Sequence, residues 1–238
     1  MRAALESLLR ARKLDVTLLS TDAAAVPPER VAPTGDAALD AALGGGLRRG
    51  HLSEITGAPS SGRSTLVARL LAAATARGEA AAIVDACDAW DPASADALGV
   101  ALGHVLWVRP STSLRAGPST ALRAGPSTAG EQHAMAALKA FSLILQAGGF
   151  GLVVLDLADV SAAALRRFPV TTWMRAARLL EEGGRDTVAL LVGAERIARS
   201  AGGVTLALES SRADWRGGAP RARLFTGVDP APRVVRAR

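Results

Sequence analysis

The sequence lacks tyrosine altogether, and its other aromatic residues bring the aromatic fraction to only 3%. A core without many large rings must be built mainly from Ala, Leu and Val, and apolar residues make up 49% of the chain. This composition excludes an intrinsically disordered chain and is typical of a globular protein. The length of 238 residues is enough for one α/β domain with a single large core.

Cysteine occurs once, at Cys87, so an internal disulfide is excluded and an oxidising compartment is not indicated. With no histidine placed beside it, Cys87 is expected to be a small buried residue rather than a nucleophile. The sequence also lacks a run of eighteen apolar residues and a signal-peptide pattern at its start. We therefore expect a soluble, cytoplasmic protein.

Lysine is scarce as well, occurring only at Lys13 and Lys139, so nearly all positive charge is carried by arginine. The formal net charge of +6 is unevenly distributed. Residues 196–238 contain nine arginines and three acids, which accounts for the whole excess. A basic C-terminal part favours nucleic acid or an acidic protein as a partner, although a solvated arginine-rich tail is the alternative.

The chain divides into an N-terminal appendage and one larger domain. Residues 1–33 are predicted to form an amphipathic helix followed by a proline-containing linker. Residues 34–238 are predicted to form the domain itself. Within it, residues 110–130 repeat a Pro-Ser-Thr segment with an eight-residue period. This stretch is too short and polar for a stacked repeat fold, so we interpret it as a low-complexity surface insertion.

From His51 onwards, short apolar strands alternate with helices. Strands are predicted at 51–56, 80–84, 105–108, 151–155 and 187–192, and helices at 64–77, 92–98, 131–147 and 170–182. Continuously apolar strands that alternate with helices indicate a mostly parallel sheet covered by helices on both faces. Further short strands at 204–208, 223–225 and 233–235 predict a β-rich C-terminal edge.

A glycine-bounded loop follows the first of these strands and carries the candidate chemistry. Residues 57–64 fit the phosphate-binding P-loop pattern except that Arg63 stands where lysine is required. Glycines allow backbone N–H groups to surround a phosphate, and the next helix offers its positive N-terminal end. The predicted nucleotide-binding residues are Gly57, Ser60, Ser61, Gly62, Arg63, Ser64 and Thr65.

The loop predicts ATP and Mg²⁺ as weakly bound cofactors. Ser64 would place its hydroxyl on Mg²⁺, and Asp156, at the end of a later apolar strand, would hold the metal shell. An ordinary glycine-rich turn and an ordinary strand-ending aspartate remain the alternatives. Arg212, Trp215 and Arg216 form a second candidate site, because an aromatic ring between arginines can stack on a nucleic-acid base.

Several segments in register resemble the ATPase core of RecA-like recombinases. They are Thr34-Gly35, Leu39-Asp40, residues 43–47, Gly50, residues 54–57, residues 83–86, Asp91-Pro92 and residues 130–132. The resemblance runs from about Thr34 to Asp156 and implies a RecA-like P-loop fold. It also implies DNA repair or recombination as the setting.

The departures from that family concern hydrolysis. The resemblance implies a water-activating glutamate where this sequence has Cys87, and an adenine-stacking tyrosine where it has Ser94. The γ-phosphate-sensing glutamine is missing near Gly193, and the loop at 195–203 is shorter than the family's DNA-binding loop. Guanidinium is wider than ammonium and does not simply replace it in a tight loop. We therefore expect no efficient ATPase.

The C-terminal half resembles a narrower group, the RecA-like (ImuA-type) accessory proteins of bacterial mutagenic translesion synthesis. The resemblance lies in residues 161–182 and 202–208 and in the closing arginine-rich strands. It implies an SOS-response accessory protein whose partners include a Y-family polymerase homologue or RecA, with single-stranded DNA possible. Two alternatives stay open: an active DNA-dependent ATPase or recombinase, and a pure protein-interaction module on a RecA-like scaffold.

Overall fold

The computed structural model describes residues 30–109, 126–198, 201–218 and 223–236. Its strands are β1 Val31–Ala32, β2 Leu47–Arg48, β3 His51–Gly57, β4 Ala81–Asp85, β5 Val105–Val108, β6 Leu152–Asp156, β7 Val188–Gly193, β8 Thr205–Arg216 and β9 Leu224–Arg236. Its α-helices are α1 Ala37–Leu43, α2 Arg63–Ala76, α3 Pro92–Ala97, α4 Pro126–Ala147, α5 Ala162–Arg166 and α6 Val170–Glu182. No helix in these ranges is long and apolar enough to span a membrane.

Seven strands form the central sheet in the order β5-β4-β6-β7-β3-β8-β9. All neighbouring pairs are parallel except β8 and β9, which pair antiparallel at one edge. The strands β1 and β2 form a separate antiparallel pair. The predicted α/β fold with a mostly parallel sheet and a β-rich C-terminal edge is confirmed.

The sheet separates two apolar cores, which explains why its central strands are apolar on both faces. Along β4, Ile83 contributes to one core while Ala82 and Val84 contribute to the other. Helices α1, α2 and α3 cover the first core, and α4, α5 and α6 cover the second. Successive side chains of a strand point to opposite faces, so a doubly covered sheet requires an unbroken apolar run.

Local capping residues fix several helix ends. Asp36 and Asp91 accept backbone N–H bonds at the starts of α1 and α3. Gly44 ends α1 in the left-handed conformation, with φ of 72°. Such caps satisfy backbone groups that have no partner inside the helix.

Two boundaries differ from the prediction. Helix α4 begins at Pro126, inside the stretch interpreted as an insertion, because proline is well tolerated in the first turn of a helix. Val31 and Ala32, predicted as linker, are buried and pair with β2. The predicted N-terminal helix and residues 110–125 of the insertion lie outside the described residues.

The C-terminal edge is a long hairpin instead of three short strands. Strand β8 continues through the polar residues 209–214, which interrupt the apolar pattern on which a strand prediction depends. Strand β9 contains Pro230 and Pro232, which fit because it lies at the edge of the sheet and needs no donor on its outer side. The hairpin therefore reaches well beyond the apolar core.

Candidate nucleotide-binding site

The loop predicted to bind phosphate connects β3 to α2. Gly62 caps α2 with φ of 90°, a conformation that glycine adopts without strain. A Cβ on Gly57 would lie 2.4 Å from the Ser61 hydroxyl and 2.9 Å from the Leu208 carbonyl oxygen, so only glycine fits there. Ser60 also adopts a positive φ, of 64°. The loop thus leads into the N-terminus of a 14-residue helix, as an anion site requires.

The side chains of the predicted loop residues have different surroundings. Ser64 is exposed on the first turn of α2, and Thr65 beside it is half-buried. Ser61 is buried, and its hydroxyl has no hydrogen-bond partner among the described residues. Both an exposed hydroxyl at the helix start and an orphaned hydroxyl inside the loop are compatible with a bound phosphate and its metal.

Arg63 turns inward, back across its own loop. It is only 8% exposed, and its guanidinium donates a 2.9 Å hydrogen bond to the carbonyl oxygen of Gly57. A longer bond, of 3.5 Å, reaches the carbonyl oxygen of Ala158, and the Asp159 carboxylate lies 3.8 Å away. The side chain that should meet a phosphate therefore ties the P-loop to the loop after β6.

Asp156 lies at the end of β6, directly opposite Asp85 at the end of β4. Its carboxylate accepts the Ala158 N–H at 2.9 Å. Burial raises the pKa of Asp156 to about 6, and the neighbouring Asp85 adds to the increase. A bound cation would favour the ionised form of such a carboxylate, so the position suits the predicted Mg²⁺ role.

Cys87 occupies a turn after β4. The expectation that it is buried is wrong, because the chain leaves the sheet at Asp85 and the cysteine is exposed. Asp85 holds this turn by accepting the N–H groups of Cys87, Ala89 and Trp90 at 2.9–3.3 Å. Partial desolvation, with help from Asp159, raises the pKa of the Cys87 thiol to about 11.

Asp88, the acid next to Cys87, lies on the turn with φ of 56°, so the alternation of side chains along a strand does not set its direction. Its carboxylate faces Arg109 at 3.4 Å. Ser94, at the position implied for an adenine-stacking ring, instead donates its hydroxyl to Asp91 on the first turn of α3. Neither residue supplies the chemistry that the family resemblance implies.

The base of the β8–β9 hairpin covers the P-loop, which the sequence pattern did not reveal. The Ser211 hydroxyl donates to the Ser60 carbonyl oxygen at 3.3 Å. A Cβ on Gly62 would lie 2.9 Å from Pro230, and Arg69 of α2 pairs with Asp229 at 3.1 Å. The second predicted site, with Arg212, Trp215 and Arg216, lies farther along the same hairpin and is thus linked to the P-loop through β8.

A buried carboxylate of β3 fixes the loop after β7. Glu54 is 1% exposed and accepts the N–H groups of Ile197, at 2.7 Å, and of Ala198. Thr205 at the start of β8 donates its hydroxyl to the same side chain at 3.4 Å. The strand that leads into the P-loop is therefore joined directly to the segment that enters the hairpin.

The family model of the RecA N-terminal domain matches residues 5–118. Protein RecA of Methylococcus capsulatus is 41% identical over 145 residues, which are 60% of this chain and 35% of that protein. Protein RecA of Symbiobacterium thermophilum is 48% identical over 87 residues, or 36% of this chain and 25% of that protein. Protein RecA of Frankia alni is 37% identical over 140 residues, which are 58% of this chain and 33% of that protein.

The matched region of these relatives amounts to about a third of their length or less. The family model ends before Asp156 and before the hairpin, so it includes the P-loop but not the elements that cover it. Over residues 5–118 the chain is similar to the N-terminal domain of RecA, in agreement with its α/β fold.

Proposed function

We propose that this protein is a RecA-like accessory protein of DNA repair, of the translesion-mutagenesis type, that acts by binding partners rather than by efficient ATP hydrolysis. The observation that supports this most strongly is the inward position of Arg63. One nitrogen of its guanidinium, Nη1, already bonds to the carbonyl oxygens of Gly57 and Ala158, so the side chain is directed at protein groups. The predicted appendage would end before Val31 instead of at residue 33, because Val31 and Ala32 are buried and pair with β2, and the rest of the chain would form the RecA-like domain.

The backbone of the loop fits a nucleotide phosphate, so weak binding of ATP with Mg²⁺ is part of the proposal. Gly57, Ser60, Ser61, Gly62 and Thr65 would surround the phosphate, and Ser64 with Asp156 would hold the metal. Bound Mg²⁺ would supply charge neutralisation at the phosphates. Arg63 and the overlying Pro230 restrict the same space, which accounts for an affinity below that of an unobstructed P-loop.

Hydrolysis would be slow because no competent base occupies the position of Cys87. With a pKa of about 11 the thiol stays protonated at neutral pH, so it cannot accept a proton from water. Loss of a general base lowers a rate by roughly 10²- to 10⁴-fold. Bound nucleotide would then act as a ligand and would not be hydrolysed efficiently.

The partners we propose are a Y-family polymerase homologue or RecA, together with single-stranded DNA. The excess of arginine after residue 196 suits DNA or an acidic protein surface. The hairpin that bears much of this charge is bonded to the P-loop, so partner binding and nucleotide binding would influence one another.

The test compares ATP turnover and partner binding in the same preparation. Turnover of the full chain is measured with and without single-stranded DNA, beside a RecA protein as positive control. Binding to purified RecA and to a Y-family polymerase homologue is measured by biolayer interferometry with and without Mg-ATP. We expect background turnover and partner binding that does not require nucleotide.

Other outcomes would favour the alternatives. Turnover stimulated by single-stranded DNA would overturn the proposal in favour of an active DNA-dependent ATPase. Binding to a partner protein without any affinity for nucleotide or DNA would favour a pure protein-interaction module.

A further inference from the structure

The outer part of the β8–β9 hairpin carries an exposed aromatic pair that lies outside both apolar cores. Trp215 pairs with Phe225 across the ladder, with ring centroids 5.4 Å apart and planes at 70°. The two side chains are 54% and 51% exposed, and the neighbouring Leu224 is 65% exposed. Exposed rings held in fixed mutual geometry offer flat faces to a ligand.

The positive charge beside this pair is not neutralised. Arg216 follows Trp215 in β8, and Arg223 lies two residues before Phe225; both are exposed and form no ion pair within the described ranges. Arg212 differs, because it lies near Asp214 at 3.6 Å and Asp229 at 3.5 Å. The free charge of the hairpin therefore lies at its outer end, within two residues of the aromatic pair.

The aromatic pair is held away from the body of the protein by an anchored base. Ser211 and Pro230 contact the P-loop, and Asp229 pairs with Arg69 of α2. Trp215 lies four residues beyond Ser211, which corresponds to about 13 Å along an extended strand. The hairpin thus presents its rings and arginines at a defined position that a ligand can reach from solvent.

We propose that the outer hairpin, defined by Trp215, Arg216, Arg223 and Phe225, binds single-stranded nucleic acid. Bases would stack on the two rings, and the two arginines would contact the flanking phosphates. A duplex hides its base faces, so exposed rings favour a single strand. An acidic peptide would use the arginines but leave the ring faces without a stacking partner. The inference rests on the DNA-binding part of the proposed function and not on its nucleotide site.

The test is fluorescence anisotropy of a fluorescein-labelled 15-nucleotide oligo(dT), titrated with the full chain at several salt concentrations. Trp215→Ala is expected to weaken binding at least about tenfold, since a stacked base contributes substantially to affinity. Trp215→Phe keeps a ring and should retain most of the affinity. The double change Arg216→Ala with Arg223→Ala should lower the salt dependence by about 1.4 in the slope of log K against log salt.

Matched controls separate the surface from general effects. Arg178→Ala removes an exposed arginine of α6 that is paired with Glu182, and Met174→Ala removes an exposed apolar side chain of the same helix; both should change affinity less than about twofold. Circular dichroism and urea midpoints verify that every variant is folded.

Three results would overturn the inference: no oligo(dT) binding by the unaltered chain, unchanged binding by folded Trp215→Ala, or binding of a poly-glutamate peptide in place of oligo(dT). If oligo(dT) binding fails while RecA or polymerase binding persists, the hairpin inference falls and the accessory function stands. If oligo(dT) binding depends on the hairpin while DNA-stimulated ATP turnover is found, the inference stands and the proposed function falls.

Discussion

The guanidinium of Arg63 is hydrogen-bonded at 2.9 Å to the carbonyl oxygen of Gly57, the residue that opens the same loop. The presence of arginine in place of lysine therefore changes the contacts of the cation as well as its shape. It allows the side chain to span from the P-loop to Ala158 and the loop after β6. The loop keeps its backbone form while its cation is engaged by protein groups.

The raised pKa of Cys87 predicts slow alkylation in spite of its exposure. At pH 8 a thiol with a pKa of about 11 is only about 0.1% thiolate, the form that reacts with iodoacetamide. The native rate should rise about tenfold per pH unit between 7 and 10. In urea, where the thiol regains an ordinary pKa, the rate at pH 8 should be about 10²-fold higher.

Cys87 is the one cysteine in the chain, so the modified fraction can be read directly from intact mass. Asp159→Asn should accelerate the native reaction, because the Asp159 carboxylate opposes formation of the thiolate. Equal native and unfolded rates at pH 8 would show that the turn does not perturb the thiol.

Asp156 predicts a defined pH dependence of stability in the metal-free protein. Its folded pKa of about 6 exceeds the unfolded value near 3.8, so the folded state holds the extra proton between these pH values. Stability from this group is present at low pH and is lost as pH rises through 6. Asp156→Asn keeps the acceptor for Ala158 and removes the buried charge.

We expect Asp156→Asn to be more stable than the unaltered chain at pH 7.5, by on the order of 1–2 kcal/mol, with the difference shrinking at pH 4.5. Urea unfolding in EDTA at both pH values measures it. Burial lowers the pKa of His51, and, against the opposing effect of burial, hydrogen bonds with Arg77 and Arg49 lower the pKa of Glu79. Their effects on stability are common to both proteins and cancel in the comparison. A difference that is constant with pH would contradict the account.

Removal of the Glu54 carboxylate should cause a large loss of stability. Glu54→Ala leaves the N–H groups of Ile197 and Ala198 buried without an acceptor and opens a gap beneath the loop. We expect a decrease of about 2–4 kcal/mol in the free energy of unfolding, measured by urea denaturation. Glu195→Ala, which changes an exposed glutamate of the same loop, should cost less than about 0.5 kcal/mol. Equal effects of the two changes would rule out an anchoring role.

The parts of the fold that follow from local chemistry could be predicted from the sequence. Strands β4, β6 and β7 are recognisable because each is apolar on both faces, and α3 is recognisable because Asp91 and Pro92 form its start. The long hairpin could not be recognised, since Ser211 and Asp214 interrupt the apolar pattern while β8 is held by its pairing with β9. Its register depends on contacts distant in sequence.

The candidate site likewise combines features that the local sequence predicts with features that depend on distant residues. A strand, a glycine-bounded loop and a helix could be predicted from residues 51–77, and the loop has the expected positive φ at Gly62. The direction of the Arg63 side chain could not, because its acceptor on Ala158 is 95 residues away. The exposure of Cys87 was also missed, because the strand ends two residues before it and the chain turns.

A titration with a fluorescent ATP analogue and Mg²⁺ tests most directly whether the inward Arg63 weakens nucleotide binding. It compares the unaltered chain with Arg63→Lys and Arg63→Ala. A lysine ammonium is compact and can approach a phosphate directly, so Arg63→Lys should bind the ATP analogue at least about tenfold more tightly than the unaltered chain. Arg63→Ala, which has no cation, should bind most weakly. If the unaltered chain binds as tightly as Arg63→Lys, or more tightly, the inward arginine does not restrict the site, and weak nucleotide binding cannot be attributed to it.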